Sequence, residues 1–183
     1  MHDPARAALY ERVARDVEAL VAGLDDPVAA MASAASVLKE ALPGASWVGF
    51  YRVVAPRLLR VGPYQGPVGC LEIPFERGVC GAAARERRAQ VVPDVDAFPG
   101  HLACDAAARS EIVVPVFDSQ GDLAAVLDLD SHQLSAFDDD DRRGLERVAE
   151  ALRPALARWR QTLDPEPRSP AAATHRLATA GER

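Results

Sequence analysis

The stretch EIVVPVFDSQGDLAAVLDLD, from Glu111 to Asp130, decides the fold of this chain. Its two ends, 111–117 and 123–130, are apolar segments of the length that strands usually have. Residues 118–122 between them carry Asp, Ser and Gly, which are typical of a tight turn. Adjacent strands joined by such a turn favour antiparallel pairing. The stretch therefore predicts an antiparallel sheet.

Helices are predicted on either side of the β-rich part of the chain. Residues 1–42 are expected to form two helices, because apolar residues recur at helical spacing and Asp25-Asp26-Pro27 ends one helix and starts the next. The predicted elements after Ser46 are three short strands, a short helix over 78–87, a strand over 90–92, the strands of 111–130, and a helix from Asp138 to about Trp159. An antiparallel sheet packed against N- and C-terminal helices defines an α+β fold.

The length and composition fit one globular domain. The 183 residues suffice for one hydrophobic core and are short for two. Hydrophobic residues make up 49% and charged residues 26% of the chain, so an ordinary packed core is expected. We expect the domain to cover residues 1–163. Residues 164–183 are rich in proline and small polar residues, and we expect them to form a disordered C-terminal tail.

The charge of the chain excludes some classes of partner. A net charge of −6 argues against a nucleic-acid partner, since phosphate binding needs clustered cations, and it disfavours an anionic membrane surface. No apolar run reaches the roughly 18 residues that a membrane helix needs. The N-terminal segment has scattered charges, unlike an export signal. We therefore expect a cytoplasmic protein with neither a nucleic-acid nor a membrane partner.

The cysteines are the first candidates for chemistry, and there are three of them: Cys70, Cys80 and Cys104. An odd number cannot all pair within the chain, and cytosolic thiols are reduced by default. There is no Cys-x-x-Cys motif, and a Cys3His zinc site using His101 or His132 has no supporting spacing, so no metal is expected.

Two interpretations of these cysteines stay open on the residues alone. All three fit the pattern of small buried residues, because free cysteine is among the most buried residue types. In favour of reactivity, Cys80 lies in a glycine-flanked turn at the start of the predicted short helix, where helix amides favour a thiolate. Cys104 lies in the long irregular connection 94–109, and connections of that length are often functional.

Three acids are the second candidates. Asp128 and Asp130 are two residues apart on one predicted strand, so their side chains share a face. Glu111 opens the preceding strand and lies near or beside Asp130 if the two strands pair. One interpretation is three solvated carboxylates at strand ends. The other is an acidic pocket that binds an ammonium group and keeps one carboxyl protonated near neutral pH.

Two aromatic residues share a face of the first predicted strand. Trp47 and Tyr51 are four residues apart, and Gly49 between them is predicted to leave room for a ligand. Aromatic residues in a strand are more often core, so that alternative is kept. The acidic run 138–141 is predicted to be a helix N-terminus without a catalytic role, because negative charge there complements the helix dipole.

These motifs together resemble a known family. The segments WVGFY, GPYQGPVGCLEIPFERGVCGAA, GHLACDAAARSEIVVPV, and VLDLDS followed by FDDDD are similar to those of the free methionine-(R)-sulfoxide reductases, which are GAF-domain enzymes. The resemblance runs from about Trp47 to Leu152 and includes all three cysteines in the family's order. The chain departs from the family pattern at Gly69, Ala82, Arg109 and Ala125, and none of these changes removes a thiol or an acid.

The resemblance implies a fold, a reaction and a set of residue roles. The fold is GAF-like. The reaction reduces the free amino acid, with Cys104 as nucleophile, Cys70 as resolving thiol and Cys80 as the alternative resolving thiol. Thioredoxin, linked to NADPH, is the implied reductant, and no bound cofactor is implied. The implied substrate-binding residues are Trp47, Tyr51, Glu111, Asp128 and Asp130.

The resemblance also suggests a homodimer with the N-terminal helices at the interface. The alternative function is a GAF sensor module that binds a small ligand without catalysis. Three thiols and clustered acids around one cavity favour the enzyme, because a sensor has no need of them.

Overall fold

The computed structural model describes residues 3–157, which form four α-helices and six β-strands. The helices are α1 (Pro4–Val21), α2 (Pro27–Ala41), α3 (Gly78–Glu86) and α4 (Asp139–Leu152). The strands are β1 (Trp47–Ala55), β2 (Leu58–Gln65), β3 (Glu72–Pro74), β4 (Gln90–Val92), β5 (Ser110–Phe117) and β6 (Leu123–Ser131). The tail expected over residues 164–183 and the predicted helix end at Trp159 lie outside the described residues.

The strands form one antiparallel sheet in the order β3-β2-β1-β6-β5-β4. β5 and β6 pair directly, and Glu111 lies opposite Asp130. β6 also pairs with β1, which places Gly49 opposite Asp128 and Trp47 opposite Asp130. The two central strands are thus β1 and β6, and the predicted α+β fold with an antiparallel sheet is confirmed.

The turn between β5 and β6 follows from its residues. The Asp118 carboxylate accepts hydrogen bonds from the backbone N–H groups of Gln120 and Asp122, both at 2.9 Å. Gly121 has a φ of 82°, which glycine adopts without the steric cost of a side chain. A short polar side chain and a glycine therefore close the hairpin and fix its register.

One face of the sheet packs against α2 and α4, and α1 packs on these two helices. Ile112, Val114, Leu127 and Leu129 alternate along β5 and β6, and all four are buried in this helix-covered core. Each fully buried side chain of this size contributes roughly 1.5–3 kcal/mol to the free energy of unfolding. These four side chains therefore anchor this face of the hairpin against the long helices.

The opposite face carries the other half of the alternation. Val113 and Val126 are buried there with Trp47, Tyr51 and Cys80. This second core is covered by α3 and by the connection between β4 and β5 rather than by the long helices. Because side chains alternate along a strand, the acids of β5 and β6 fall on this thinner face.

Local capping explains most helix boundaries. Asp26 caps α2 by accepting from the N–H groups of Val28 and Ala29, with Pro27 in the first turn. Asp138 caps α4, as the sequence predicted. α4 ends at Leu152 and passes into a 3-10 turn, Arg153–Leu156, because a proline at 154 has no N–H to continue the helix.

One β-rich segment is shorter than predicted. The third short strand predicted after Ser46 is VGCLEIPF, residues 68–75, but β3 covers only Glu72–Pro74, which leaves Cys70 in the loop that precedes it. Within residues 3–157, no helix combines the length and the apolar composition that crossing a membrane would take.

Candidate active site

The three candidate acids meet on the thin face of the sheet. Glu111 is 7% exposed and Asp128 is 5% exposed, whereas Asp130 is partly exposed. The register places Glu111 directly beside Asp130, as expected from the hairpin, and Asp128 lies two residues earlier on the same face. The interpretation as three solvated strand-end carboxylates is therefore wrong, because two of the three side chains are buried.

Burial and mutual repulsion dominate the ionisation of these acids. Burial, followed by the charges of Asp128 and Asp130, raises the pKa of Glu111 well above its ordinary value. Burial raises the pKa of Asp128 to about 7, against opposing contacts with Cys80 and Glu111. Burial and the charge of Asp128 also raise the pKa of Asp130 well above its ordinary value. At neutral pH the cluster therefore retains protons that ordinary carboxylates would have lost.

One oxygen of this cluster has no partner within the described chain. Asp128 Oδ1 is buried and accepts no hydrogen bond from residues 3–157. A buried carboxylate oxygen without a donor is costly unless a ligand supplies one or the group is protonated. The cluster is thus suited both to receive a cationic donor and to give up a proton.

Cys70 and Cys104 form a disulfide, with their Cα atoms 5.0 Å apart. The bond links the loop before β3 to the connection between β4 and β5. Both cysteines are half-buried at the edge of the second core. In this state neither residue has a thiolate to offer a metal, so the Cys3His alternative is not assembled.

Cys80 is the free thiol, and it lies in the first turn of α3. Its Sγ is 3.8 Å from Glu111 Oε1. The expectation that helix amides favour its thiolate is wrong, because burial and the charges of Asp128 and Glu111 raise its thiol pKa well above the ordinary value. Burial and the two neighbouring carboxylates together outweigh the helix dipole, so Cys80 is a thiol that keeps its proton in this state.

Cys80, Glu111 and Asp128 also form the one group of potential metal ligands within residues 3–157. Their ligand atoms lie within 4.8 Å of one another, and all three residues are buried. The thiol and carboxyl protons held by burial would have to leave before a cation could bind.

Trp47 and Tyr51 share a face of β1, as predicted, and both are buried. The Trp47 ring stacks between the rings of Tyr51 and Tyr64, with centroids 5.6 and 5.2 Å away. The space that Gly49 was expected to leave for a ligand is filled instead by protein. A Cβ at Gly49 would lie 2.3 Å from Tyr64 Cβ and 2.6 Å from the Trp47 ring.

The aromatic pair supports the loop that carries Cys70. Trp47 Nε1 donates a 3.1 Å hydrogen bond to the carbonyl of Pro67. A Cβ at Gly69 would lie 2.8 Å from the Tyr51 hydroxyl, so that glycine allows the loop to lie directly on Tyr51. The charges of Asp128, Asp130 and Glu111 contribute to raising the pKa of Tyr51, after burial. Tyr51 thus lies between the Cys70 loop and the acids.

A small cavity of about 20 Å³ lies beneath the disulfide. This is room for about one water molecule. The residues that line it come from β3, α3, the connection between β4 and β5, and the two central acidic strands: Ile73, Gly78, Val79, Cys80, His101, Leu102, Cys104, Asp105, Ala108, Glu111, Asp128 and Asp130. Cys104 lines the cavity and Cys70 does not, so the disulfide closes the site from outside.

Asp105 and His132 are site residues to which the sequence analysis gave no role as a pair. Asp105 accepts from the N–H of Ala107 at 2.9 Å and contacts His132 Nε2 at 3.0 Å. These two contacts lower the pKa of Asp105. Asp105 follows Cys104 directly, and His132 follows β6, so the pair ties the cysteine connection to the strand that carries the acids. The position of Asp105 beside a candidate nucleophile was the signal available in the sequence.

Comparisons with known proteins agree with this arrangement. Residues 25–157 match the GAF domain family, so the fold is that of a GAF-domain protein. The chain is 39% identical to the free methionine-R-sulfoxide reductase of Escherichia coli over 83% of this chain and 91% of that protein. A solved free methionine-R-sulfoxide reductase from Neisseria meningitidis, in complex with its substrate, is 45% identical with a TM-score of 0.79, covering 89% of this chain and 96% of that one. The chain belongs to the family of GAF-domain free methionine-R-sulfoxide reductases.

A third relative carries a different description. A solved putative GAF sensor protein from Burkholderia vietnamiensis is 43% identical, with a TM-score of 0.76 over 80% of this chain and 92% of that one. Its description corresponds to the alternative function considered from the sequence.

Proposed function

We propose that this protein reduces free L-methionine-(R)-sulfoxide to L-methionine by thiol chemistry. The observation that carries the proposal is the Cys70–Cys104 disulfide, which lies at the mouth of a pocket of buried, proton-holding carboxyls. Sulfoxide reduction needs a thiol that is oxidised, a second thiol that completes a disulfide, and an acid. The family membership supports the substrate.

In the first step the Cys104 thiolate attacks the sulfoxide sulfur. The sulfoxide oxygen receives a proton and is transferred to Cys104, methionine leaves, and Cys104 becomes a sulfenic acid. The substrate sulfur gains two electrons and Cys104 loses two. Cys104 is suited to this role because it lines the cavity together with Glu111 and Asp128.

The acids supply the proton and bind the substrate amine. A carboxyl that is protonated at neutral pH is a general acid, and the raised pKa values of Glu111 and Asp128 support that role. An ammonium group would give Asp128 Oδ1 the donor that residues 3–157 do not provide. Asp130, at the more exposed side of the cluster, shares the ammonium.

The aromatic pair holds the other end of the substrate. We assign Trp47 and Tyr51 to the terminal methyl group, because their rings form the apolar wall between the Cys70 loop and the acids. The cavity of about 20 Å³ cannot hold an amino acid, so substrate binds to the reduced protein, in which the connection that carries Cys104 is no longer tied to the Cys70 loop and is free to move away from it.

In the second step the Cys70 thiol attacks the sulfenic sulfur of Cys104. A disulfide forms and water leaves. The bond between Cys70 and Cys104 supports Cys70 as the resolving residue over Cys80. Cys80 forms no disulfide, and burial beside two carboxyls raises the pKa of its thiol, so it is the weaker candidate for the resolving residue. Thioredoxin, reduced by an NADPH-dependent enzyme, then restores both thiols without a bound cofactor. The cytoplasm supplies this reductant, and the proposed homodimer is not required for any step.

The first experiment is thioredoxin-coupled NADPH oxidation with free L-methionine-(R)-sulfoxide, the free (S)-epimer and a peptide-bound sulfoxide. Turnover with the free (R)-form alone is expected. No turnover with any of the three, from folded and reduced protein, would favour the sensor function described for the Burkholderia relative. In that event, calorimetric binding of the same three compounds identifies a ligand.

Cysteine variants test the residue roles. Cys104→Ser is expected to abolish turnover, since the serine hydroxyl cannot replace the thiolate. Cys70→Ser is expected to release one methionine per chain and then stop, because the sulfenic acid has no partner. Normal cycling of Cys70→Ser would assign the resolving role to Cys80, and Cys80→Ser is the matched control.

A further inference from the structure

We infer that the reductant attacks Cys70 rather than Cys104, and that it docks on the apolar loop 66–71 around Cys70. The inference rests on the proposed function, because it concerns the step that restores the thiols. A disulfide is cleaved when a thiolate attacks one sulfur in line with the bond, and the other sulfur leaves. The two sulfurs are therefore distinguished by which one an external protein can reach.

The two cysteines lie on different sides of the closed site. Cys104 lines the cavity beneath the disulfide, with Cys80, Glu111 and Asp128. Cys70 is not among the lining residues and belongs to the loop between β2 and β3. Because Cys104 lines the 20 Å³ cavity and Cys70 does not, we place the in-line approach to Cys104 on the cavity side, which a protein cannot enter. An approach to Cys70 comes from outside.

The loop around Cys70 is apolar, exposed and uncharged. Val68 is 76% exposed and Leu71 is 70% exposed, and these are the most exposed large hydrophobic side chains within residues 3–157. Residues 66–71, GPVGCL, contain no charged side chain in a chain whose net charge is −6. An approaching protein thus meets no like-charge repulsion at the loop itself, and burying two apolar side chains stabilises the encounter.

The loop is held rigidly from beneath. Trp47 Nε1 binds the carbonyl of Pro67, and Val61 N–H binds the carbonyl of Leu71 at 3.0 Å. Gly69 lies against the Tyr51 hydroxyl and the Trp47 ring. These contacts turn Val68 and Leu71 outward on a fixed base, and a preorganised surface binds at a smaller entropic cost.

The occupant is a dithiol protein of the thioredoxin class, because only a disulfide reductase must place a thiol against Cys70. Its thiolate forms a bond with Cys70 Sγ, the bond between Cys70 and Cys104 breaks, and Cys104 leaves as a thiolate within the acidic pocket. The second thiol of the reductant then attacks the mixed disulfide and releases Cys70, so that two electrons have passed from reductant to protein.

The attacked sulfur is identified by trapping the mixed disulfide between the reductant and this protein. The full chain is oxidised with diamide, so that no substrate is needed, and mixed with a thioredoxin whose second active-site cysteine is replaced by serine. The mixed disulfide is mapped by peptide mass spectrometry. A link to Cys70 is expected, and a link to Cys104 overturns the inference. Because the trap uses no sulfoxide, failure of the proposed function, seen as no methionine from the reduced protein, is a separate result.

The test of the surface uses two matched double variants. Val68→Ser with Leu71→Ser is expected to raise the KM for thioredoxin at least 5-fold, and to slow dithiothreitol-driven turnover less than 2-fold. Leu20→Ser with Val28→Ser removes two exposed apolar side chains from the opposite face, and should leave both rates within 2-fold of the unmodified protein. An unchanged thioredoxin KM in the first variant, or equal losses with both reductants, overturns the docking surface.

Discussion

Two acidic clusters of this protein contain the same kind of side chain but have different roles, one in stability and one in the candidate active site. The first is the N-terminus of α4, residues 138–141, with four consecutive aspartates. The second is the pocket cluster of Glu111, Asp128 and Asp130. In both clusters two side chains are buried, so burial alone does not distinguish them.

The partners of the carboxylates make the difference. Asp141 accepts from Tyr10 Oη at 2.8 Å and from Arg6 Nη1 at 2.9 Å, and Asp140 accepts from Arg143 and from the N–H of Asp3. In the pocket, the Sγ of Cys80 at 3.8 Å is the donor to Glu111, and Asp128 Oδ1 receives none from residues 3–157. Burial also raises the pKa of Asp141, but hydrogen bonds and the charge of Arg6 oppose that shift. The satisfied carboxylates therefore hold the fold together, whereas the pocket carboxyl that lacks a donor is suited to a ligand.

The largest expected effect is a loss of catalytic efficiency when an acid of the pocket cluster is replaced. Asp128→Asn should lower kcat/KM for free methionine-(R)-sulfoxide by about 100-fold or more, because an amide neither ionises nor donates an acidic proton. Steady-state kinetics measure the loss. Asp139→Asn at the exposed start of α4 is the matched control, since Asp139 pairs with Arg142 and Arg143 of the same helix and does not line the pocket. Equal losses of kcat/KM in both variants would contradict a catalytic role confined to the pocket cluster.

The same substitution should act on stability in the opposite direction. The pKa of Asp128 is raised from 3.8 to about 7, so the folded state binds its proton more tightly than the unfolded state does. This contribution is fully present below about pH 4 and is lost as the pH rises through about 7. A shift of that size is worth up to about 4 kcal/mol.

We therefore expect Asp128→Asn to raise the free energy of unfolding relative to the parent protein at pH 8, and to leave it unchanged at pH 4. Urea unfolding at the two pH values measures the difference. A variant that is less stable than the parent protein at pH 8 would show that the carboxylate is satisfied in solution.

Replacing an acid at the N-terminus of α4 should have the reverse effect, with a loss of stability and little change in kcat. Asp141→Asn leaves Arg6 and Tyr10 with a weaker acceptor, and we expect a loss of about 1–3 kcal/mol in the free energy of unfolding. The kcat of the reductase should stay within 2-fold of the parent value at a temperature where the variant is folded. Tyr10→Phe removes the donor from the same contact and should destabilise the fold in the same range. A kinetic defect in a fully folded Asp141→Asn would contradict the separation of the two clusters.

The smallest expected effect concerns Asp105, a pocket-lining acid that does have partners. Its pair with the half-exposed His132 is worth roughly 0–1 kcal/mol. His132→Ala should therefore lower kcat only a few-fold, through a less fixed Cys104 connection, while KM changes little. His132→Gln, which retains a hydrogen-bond donor for Asp105, should restore kcat. Unchanged kcat in the alanine variant would show that the pair does not position Cys104.

The sequence by itself determined the framework of this protein. Apolar runs of strand length, the Asp118 turn and the Asp26 and Asp138 caps are local signals, so strands, hairpin and helix starts were predictable from neighbouring residues. The hairpin register then placed Glu111 beside Asp130, which the spacing within the strands implied. The family motifs also indicated the three cysteines and the acids before any contact between them was known.

Only the tertiary structure decided the electrostatics and the contacts across the sheet. One interpretation of the sequence made Cys80 a stabilised thiolate at a helix start, but burial, followed by the charges of Asp128 and Glu111, raises the pKa of its thiol well above the ordinary value. Gly49 was expected to leave space, but Tyr64 of β2 fills it. The pairing of Asp105 with His132 joins residues 27 positions apart. Local spacing fixes which side a residue faces, whereas its pKa and its free volume depend on residues that only folding brings near.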